Sequence, residues 1–314
     1  MGKISKKNKC KLPKYFVEEV MALEEVNQRV GWSITAFDLP DTWKITQGEG
    51  VKIAVLDTGC DLDHPDLVEN LLPGINFINI GQRPEDDNQH GTHITGIIVA
   101  ENNDIGMVGV APKAKVIPIK VLDSNGSGDF GTVAKGIRWA VDNGADIIST
   151  SLGSPRPLLA IRKAVLYAES KGIPVFCAAG NAGNTREIFY PANYKETIAV
   201  GSIDENFDRS KFSCTGENLD FMAAGGKIFS TVPDNWYAFL SGTSMACPFA
   251  VGVAALCLAE KRKNGKNIVG AEAYRELFRQ HVIALKNLDF SNKKFYQGFG
   301  IIDVKQLVTS VATN

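Results

Sequence analysis

Five short, almost uninterrupted apolar runs constrain the architecture of this chain more than any other feature. They span residues 51–56, 115–122, 146–151, 173–179 and 197–201. A strand with one face in water alternates apolar with polar residues, whereas a strand covered on both faces need not. The segments 90–101, 132–143 and 157–170 between them carry apolar residues at helical spacing. Strands and helices in alternation predict an α/β fold: a three-layer, doubly wound sandwich with a mainly parallel central sheet and right-handed crossovers. With 314 residues, 44% of them apolar, the chain has ample material for a sizeable core. No repeat or low-complexity segment interrupts the pattern.

Net charge is −1, so neither nucleic acid nor an anionic membrane is expected as the main partner. No apolar run reaches the roughly 18 residues expected of a membrane helix. The basic stretch 261–266 reads as a solvated turn. Lys3, Lys6, Lys7, Lys9, Lys11 and Lys14 suit the charged start of an export signal, but Glu18, Glu19, Glu24 and Glu25 break the apolar stretch that must follow. No export is expected. Six cysteines (Cys10, Cys60, Cys177, Cys214, Cys247 and Cys257) leave disulfides arithmetically open. Four of them fall in strand-like, helix-like or turn segments where packing explains them, so free thiols in a reducing cytoplasm are expected.

Three polar residues stand out against this apolar frame. Asp57 ends the first run, in Val55-Leu56-Asp57-Thr58-Gly59, at the strand terminus where α/β sheets place their sites. His90 opens the first helical segment, in His90-Gly91-Thr92-His93. Ser244 lies in Ser241-Gly242-Thr243-Ser244-Met245-Ala246, at a turn into the helix-like run 245–258. A tight turn exposes a hydroxyl, and a helix start supplies free N–H groups and positive partial charge, as a nucleophilic serine requires. Taken alone, that string equally describes a serine capping a buried helix. Joined with the aspartate and histidine, it reads as a catalytic set. In such a set the serine is the expected nucleophile, the histidine the expected carrier of its proton, and the carboxylate the group expected to hold the imidazole tautomer. His93, one turn later, reads as a packed structural residue. Asp57-Thr58-Gly59 also matches aspartic proteases, but that chemistry needs two aspartates sharing a proton. The chain has neither a second Asp-Thr-Gly nor an Asp-Ser-Gly.

The order Asp, His, Ser is that of subtilisins. In six motifs the chain resembles the subtilases, and most of all the intracellular subtilisins of Gram-positive bacteria. The motifs are Ala54-Val55-Leu56-Asp57-Thr58-Gly59-Cys60-Asp61, His90-Gly91-Thr92-His93, Gly109-Val110-Ala111-Pro112, Ser151-Leu152-Gly153, Ala178-Ala179-Gly180-Asn181 and Gly242-Thr243-Ser244-Met245-Ala246. The likeness extends from Asn27 to Val308 and implies a subtilisin-like fold. It implies that Asn181 shares the oxyanion with the Ser244 N–H. It implies a substrate held as a strand between Gly126-Ser127-Gly128 and Ser151-Leu152-Gly153, where glycine lets backbones approach. Phe130 corresponds to the aromatic roof of the pocket four residues before the cut bond. Ala178, Ala179 and Gly180 form one wall of the pocket just before the cut, and Ile188 or Phe189 reaches its floor from the short 181–190 loop. Ala182 stands where many relatives carry an acid, so medium, uncharged residues are expected there. Cys247 and Phe249 depart from the family pattern without removing a catalytic group. Cys247, one turn after Ser244, is expected to face the pocket and confer sensitivity to bulky thiol reagents.

The resemblance also implies a Ca²⁺ site at Glu101-Asn102-Asn103-Asp104-Ile105-Gly106-Met107. Its ligands are the side chains of Gln28, Asp66 and Asn103 and the backbone carbonyls of Glu101, Ile105 and Met107, an oxygen set that suits calcium. Residues 1–26 differ in composition from the rest and are expected to form an inhibitory extension before a peptidase domain at 27–314. Intracellular subtilisins carry such an extension across the active site, with a Leu-Ile-Pro-Tyr-like string. Here the string is Leu12-Pro13-Lys14-Tyr15-Phe16. Proline near the cut bond, with fixed φ and no N–H, spoils productive binding. A disordered basic tail is the other reading. The expected function is a cytoplasmic serine endopeptidase acting on peptides or unfolded proteins, with a homodimer suggested by relatives. The alternatives are a catalytically silent subtilase or a dedicated processing subtilase with a regulatory role. The presence of Asp57, His90, Asn181 and Ser244 speaks against silence.

Overall fold

The computed structural model describes residues 9–22, 27–183, 187–286 and 292–313. Lys3, Lys6, Lys7, Glu24 and Glu25, the expected boundary at residue 26 and the middle of the 181–190 loop lie outside these. Among the described residues the strands are β1 (Lys9–Lys11), β2 (Phe16–Ala22), β3 (Lys52–Asp57), β4 (Ile75–Asn76), β5 (Lys115–Lys120), β6 (Ser127–Asp129), β7 (Ile147–Thr150), β8 (Val175–Ala178), β9 (Ile198–Ile203), β10 (Phe221–Ala224), β11 (Ile228–Val232), β12 (Trp236–Ser241), β13 (Val282–Ile283) and β14 (Gly300–Ile302). The helices are α1 (Trp32–Thr35), α2 (Leu39–Thr42), α3 (His90–Val99), α4 (Phe130–Asp142), α5 (Leu159–Ser170), α6 (Thr243–Lys263), α7 (Gly270–Arg279), α8 (Lys293–Gln297) and α9 (Val304–Thr313).

Nine strands form the central sheet, in the order β13-β14-β10-β9-β8-β7-β3-β5-β4. Every pairing in it is parallel except that of β13 with β14. The five apolar runs are its β3, β5, β7, β8 and β9, buried throughout save exposed Lys52 and half-buried Lys115. Burial on both faces is why they lack alternation. The three helical segments appear as α3, α4 and α5. Helix α6 packs with α3 and α9 and lies on β7 to β10, while α4 packs with α5 and lies on β3 and β5. This is the doubly wound α/β sandwich.

Helix α6 corrects one expectation. It is long and apolar enough to cross a membrane by composition, yet its apolar window is wholly buried. A helix apolar on every side is one that runs through a core. Residues 9–22 are not a loose tail either: β1 pairs with β6, and β2 joins β11 and β12 in a three-stranded sheet.

The site is positioned by a change in winding direction. β5 lies on one side of β3 and β7 on the other. Such a switch opens a crevice at the carboxyl ends of the strands. Asp57 ends β3, and Ser151 follows β7.

Behind the sheet, fully buried Phe176 packs edge-on against Tyr274, 5.8 Å between rings, and tilted against Phe278. Phe176→Ala is expected to cost about 3–5 kcal/mol in urea unfolding through lost burial and a residual cavity; a loss below about 1 kcal/mol would show that this aromatic cluster does not organise the core.

Candidate active site

The turn after β3 and the start of α3 meet through two glycines. A Cβ on Gly59, whose φ is +111°, would lie 2.5 Å from the Pro84 carbonyl oxygen. A Cβ on Gly91 would lie 2.1 Å from the Gly59 carbonyl oxygen. Only glycine permits this approach. It brings His90 Nδ1 to 2.8 Å from Asp57 Oδ1, with both side chains buried. Asp57 Oδ1 also accepts the Thr58 N–H at 2.8 Å.

Asp86, which no sequence motif marks, ties the turn to the helix. Its Oδ1 accepts from Thr58 Oγ1 at 2.8 Å and from the N–H groups of Asn88 and Gln89. Its Oδ2 accepts from the Thr92 N–H at 2.9 Å and Thr92 Oγ1 at 2.6 Å. Thr58 Oγ1 in turn accepts the Gly91 N–H at 3.0 Å. One buried carboxylate therefore joins the turn after β3 to the residues leading into α3 and to the Thr92 N–H in its first turn, which holds His90 against Asp57. Lys120, only 2% exposed, donates to the Thr58 carbonyl and pairs with Asp87 at 2.5 Å.

Ser244 is buried in the first turn of α6. Pro248, four residues on, has no N–H to offer the Ser244 carbonyl. The Ser151 hydroxyl donates there instead, at 3.1 Å. Ser244 Oγ donates to the Ser151 carbonyl at 3.4 Å. No hydrogen bond joins it to His90, whose Nε2 is buried without a partner. Asp57 and His90 are engaged; Ser244 is adjacent to the groove wall but not coupled to them.

The groove itself holds the N-terminal segment. Lys11 and Gly153 exchange both backbone bonds, at 3.2 and 3.0 Å, and the Leu12 N–H reaches the Gly126 carbonyl at 3.0 Å. Cys10 stands opposite Gly128 and Lys11 opposite Ser127. Residues 9–12 thus run as a middle strand between Gly126-Ser127-Gly128 and Ser151-Leu152-Gly153. Pro13 has no N–H with which to continue the ladder. Asn181 Nδ2 then donates to the Lys14 carbonyl at 3.0 Å. The Asn181 amide is aimed by its Oδ1, which accepts from the Thr243 N–H at 2.9 Å and Thr243 Oγ1 at 2.8 Å. The Tyr15 ring covers His90, 4.9 Å between centroids, and its hydroxyl lies 3.4 Å from Asn88 Oδ1.

Phe130 is half-buried at the start of α4, next to β6. The Ala179 carbonyl accepts the Phe189 N–H at 2.9 Å. Phe189 packs between two glycines of opposite walls: a Cβ on Gly153 would lie 3.2 Å from Phe189 Cβ, and one on Gly180 3.1 Å from Phe189 Cγ. Ile188 belongs to the buried core. Cys247 does not face the pocket as expected. It is fully buried, its Sγ 3.9 Å from Ser149 Oγ and from the Thr150 carbonyl, because that side of α6 turns onto the sheet. Burial pushes its thiol up, the reverse of what reactivity needs.

Among the described residues, no group of three or more His, Cys, Asp or Glu side chains is placed to hold a metal. The loop expected to bind calcium is of another kind, one carboxylate among carbonyls. Asp66 Oδ2 accepts the Met107 N–H at 2.9 Å and the Tyr237 hydroxyl at 3.1 Å, while Oδ1 is buried without a partner. Burial pushes this carboxyl up to about 6 despite those donors. Gln28 Nε2 lies 3.0 Å from the Glu101 carbonyl and 3.5 Å from that of Met107. Asn103 Oδ1 accepts the Ile105 N–H at 3.3 Å. The orphaned Asp66 oxygen suits a hard cation, whereas Gln28 turns its amide nitrogen, a donor, onto two of the carbonyls expected as ligands.

Comparison with known proteins agrees with this geometry. A profile described as the subtilase family matches residues 48–300. The chain is 46% identical over 233 residues to thermitase of Thermoactinomyces vulgaris, covering 74% of this chain and 83% of that protein. It is 42% identical over 277 residues to an intracellular serine protease of Paenibacillus polymyxa, covering 84% of each. It is 43% identical over 250 residues to subtilisin E of Bacillus subtilis (strain 168), covering 78% of this chain and 65% of that protein.

His93 is fully buried, its Nε2 3.1 Å from the carbonyls of both Ile228 and Ala238. Burial first, and His90 nearby, hold its imidazole down to about 3 from 6.5. The folded state therefore binds fewer protons than the unfolded chain between those values. The stability contributed by the neutral ring is full above about pH 6.5 and is lost as pH falls toward about 3, by up to about 1.4 kcal/mol per pH unit. His93→Gln is expected to flatten the pH dependence of urea unfolding in that window; an unaltered slope would mean that the ring is protonated in the fold.

Proposed function

Because the chain belongs to the subtilase family and is a subtilisin-like serine endopeptidase, we propose that Ser244 is its nucleophile, His90 its general base and acid, Asp57 the carboxylate that orients His90, and Asn181 a donor to the oxyanion. The observation that carries these roles is the Asn181 amide holding a backbone carbonyl in the groove beside the Asp57–His90 pair. A substrate carbonyl in that place meets Asn181 Nδ2 and the free Ser244 N–H at the start of α6. Ser244 Oγ attacks, and its proton passes to His90 Nε2 while Asp57 stabilises the imidazolium. His90 then protonates the leaving amine, and water releases the acyl group by the reverse steps. In subtilisin, removal of the oxyanion asparagine lowers turnover by about a hundred- to thousand-fold. Gly126, Ser127, Gly128, Ser151, Leu152 and Gly153 hold the substrate strand. Phe130, Ala179 and Gly180 border its pockets.

Residues 1–26 form an inhibitory extension to a peptidase domain at 27–314. The seating of residues 9–12 as a substrate-like strand supports this, as do Pro13 near the oxyanion donor and Tyr15 over His90. The six cysteines are free and buried, and the Paenibacillus relative is called intracellular, which together support a cytoplasmic setting.

Calcium would be held by Gln28, Asp66 and Asn103 and the carbonyls of Glu101, Ile105 and Met107. The ion would supply positive charge for the buried Asp66 carboxylate, beside the bridges of Asn27 to Ile105 and Arg29 to Met107 that already join the loop to the chain. A chelator is expected to lower the unfolding temperature by mass action, and excess Ca²⁺ to restore it; indifference to both would remove the site.

Labelling by a fluorescent organophosphonate is expected for the full chain, more strongly for a chain starting at Asn27, and not for Ser244→Ala. Equal labelling of the two active forms would refute the inhibitory extension. Persistent labelling of Ser244→Ala would refute the nucleophile.

A further inference from the structure

β12 has β11 on one side and β2 on the other. β2 is the part of the chain that follows the Lys14 carbonyl held by Asn181. It runs antiparallel to β12 from Phe16 opposite Ser241 to Ala22 opposite Trp236, with one irregularity at Phe239/Leu240 that leaves Glu18 as the extra residue. β12 leads through Gly242 into the turn that carries Ser244. One continuous segment therefore passes from β6 and Gly153, over Asn181 and His90, onto β12. An extended polypeptide crossing a peptidase site has this same layout, with residues before the cut on one rail and residues after it on the next.

Beyond its backbone, β2 offers β12 one side-chain hydrogen bond, the Glu18 carboxylate accepting from the Ser241 hydroxyl. Five of its seven residues are exposed, among them Phe16, Val17 and Val20 at 42%, 47% and 47%. β12, in contrast, turns Tyr237, Ala238, Leu240 and Ser241 into the protein and is backed by β11. With β2 gone it is a supported edge strand whose unpaired N–H and C=O groups accept any extended chain.

We propose that β12 is a binding rail for substrate on the C-terminal side of the cut bond, taking up to six residues as an added antiparallel strand with little side-chain selection. The proposal rests on the peptidase reading above and narrows its substrates to long, unfolded polypeptide rather than short peptides.

The test uses the full chain with a site-specific protease sequence in place of residues 23–26, cut after folding and separated from the released extension. Its substrates are quenched fluorescent peptides that share all residues before the cut and carry two, four, six or eight after it. KM is expected to fall about ten-fold from two to six residues, the net effect of one or two added backbone hydrogen bonds, and then to level off, with kcat little changed. N-methylation of alternate amides after the cut is expected to abolish the gain in the phase facing β12 and to leave it in the other phase. A KM independent of length, or equal loss in both phases, overturns the rail and leaves the peptidase reading standing. Cleavage of no peptide at all overturns both.

Discussion

The hydrogen bonding of β3 to β5 and β7 is the constraint on which the rest depends. Parallel register sets Leu56 beside Ile119 and Thr150, and Asp57 beside Lys120. The carboxyl ends of the three strands therefore finish together, and the chain's first polar side chains after long apolar runs emerge at one crevice. A slip of one residue would turn each strand's inward residues to its opposite face. Because both faces are covered by helices, the apolar runs tolerate burial either way, and the register is held by the neighbours on each side and the turns that follow.

Polar groups placed this deep must find partners, since an unmet one costs more than a normal hydrogen bond contributes. Asp86 collects five donors from the turn after β3 and the start of α3. Ser151 supplies the bond that Pro248 denies to the Ser244 carbonyl. Asp57 Oδ2, His90 Nε2 and Asp66 Oδ1 are among the few buried atoms left unpaired. Two of them face the proposed chemistry and the third faces the proposed cation. The rigidity of the surroundings is what keeps those three available.

Residues 9–22 fill two exposed backbone edges at once, that of β6 with Gly153 and that of β12. Unpaired edges invite association with other chains. A tethered strand meets them at a high effective concentration, so modest contacts suffice to keep them covered. The edges proposed to receive extended polypeptide are the ones that residues 9–22 already cover.

The α/β class, five central strands and three helices were legible in the sequence because continuous apolar runs and helical spacing are local signals. Asp57, His90, Asn181 and Ser244 stood out as the candidates proposed above because each sits in a short motif that resembles one of the subtilases. Asp86 and Lys120 did not, because an acid in a loop and a lysine at a strand end have no pattern of their own. Cys247 was misplaced because helical spacing from Ser244 gives a direction around the axis but not which side the sheet occupies. The sequence motifs, through their resemblance to the subtilases, determined the class of chemistry, a subtilisin-like serine endopeptidase. The resemblance led to the expectation of an extension across the site, but only the tertiary structure decided that residues 9–11 pair with β6 and residues 16–22 with β12, since backbone pairing between distant segments depends on which edges the folded sheets leave open.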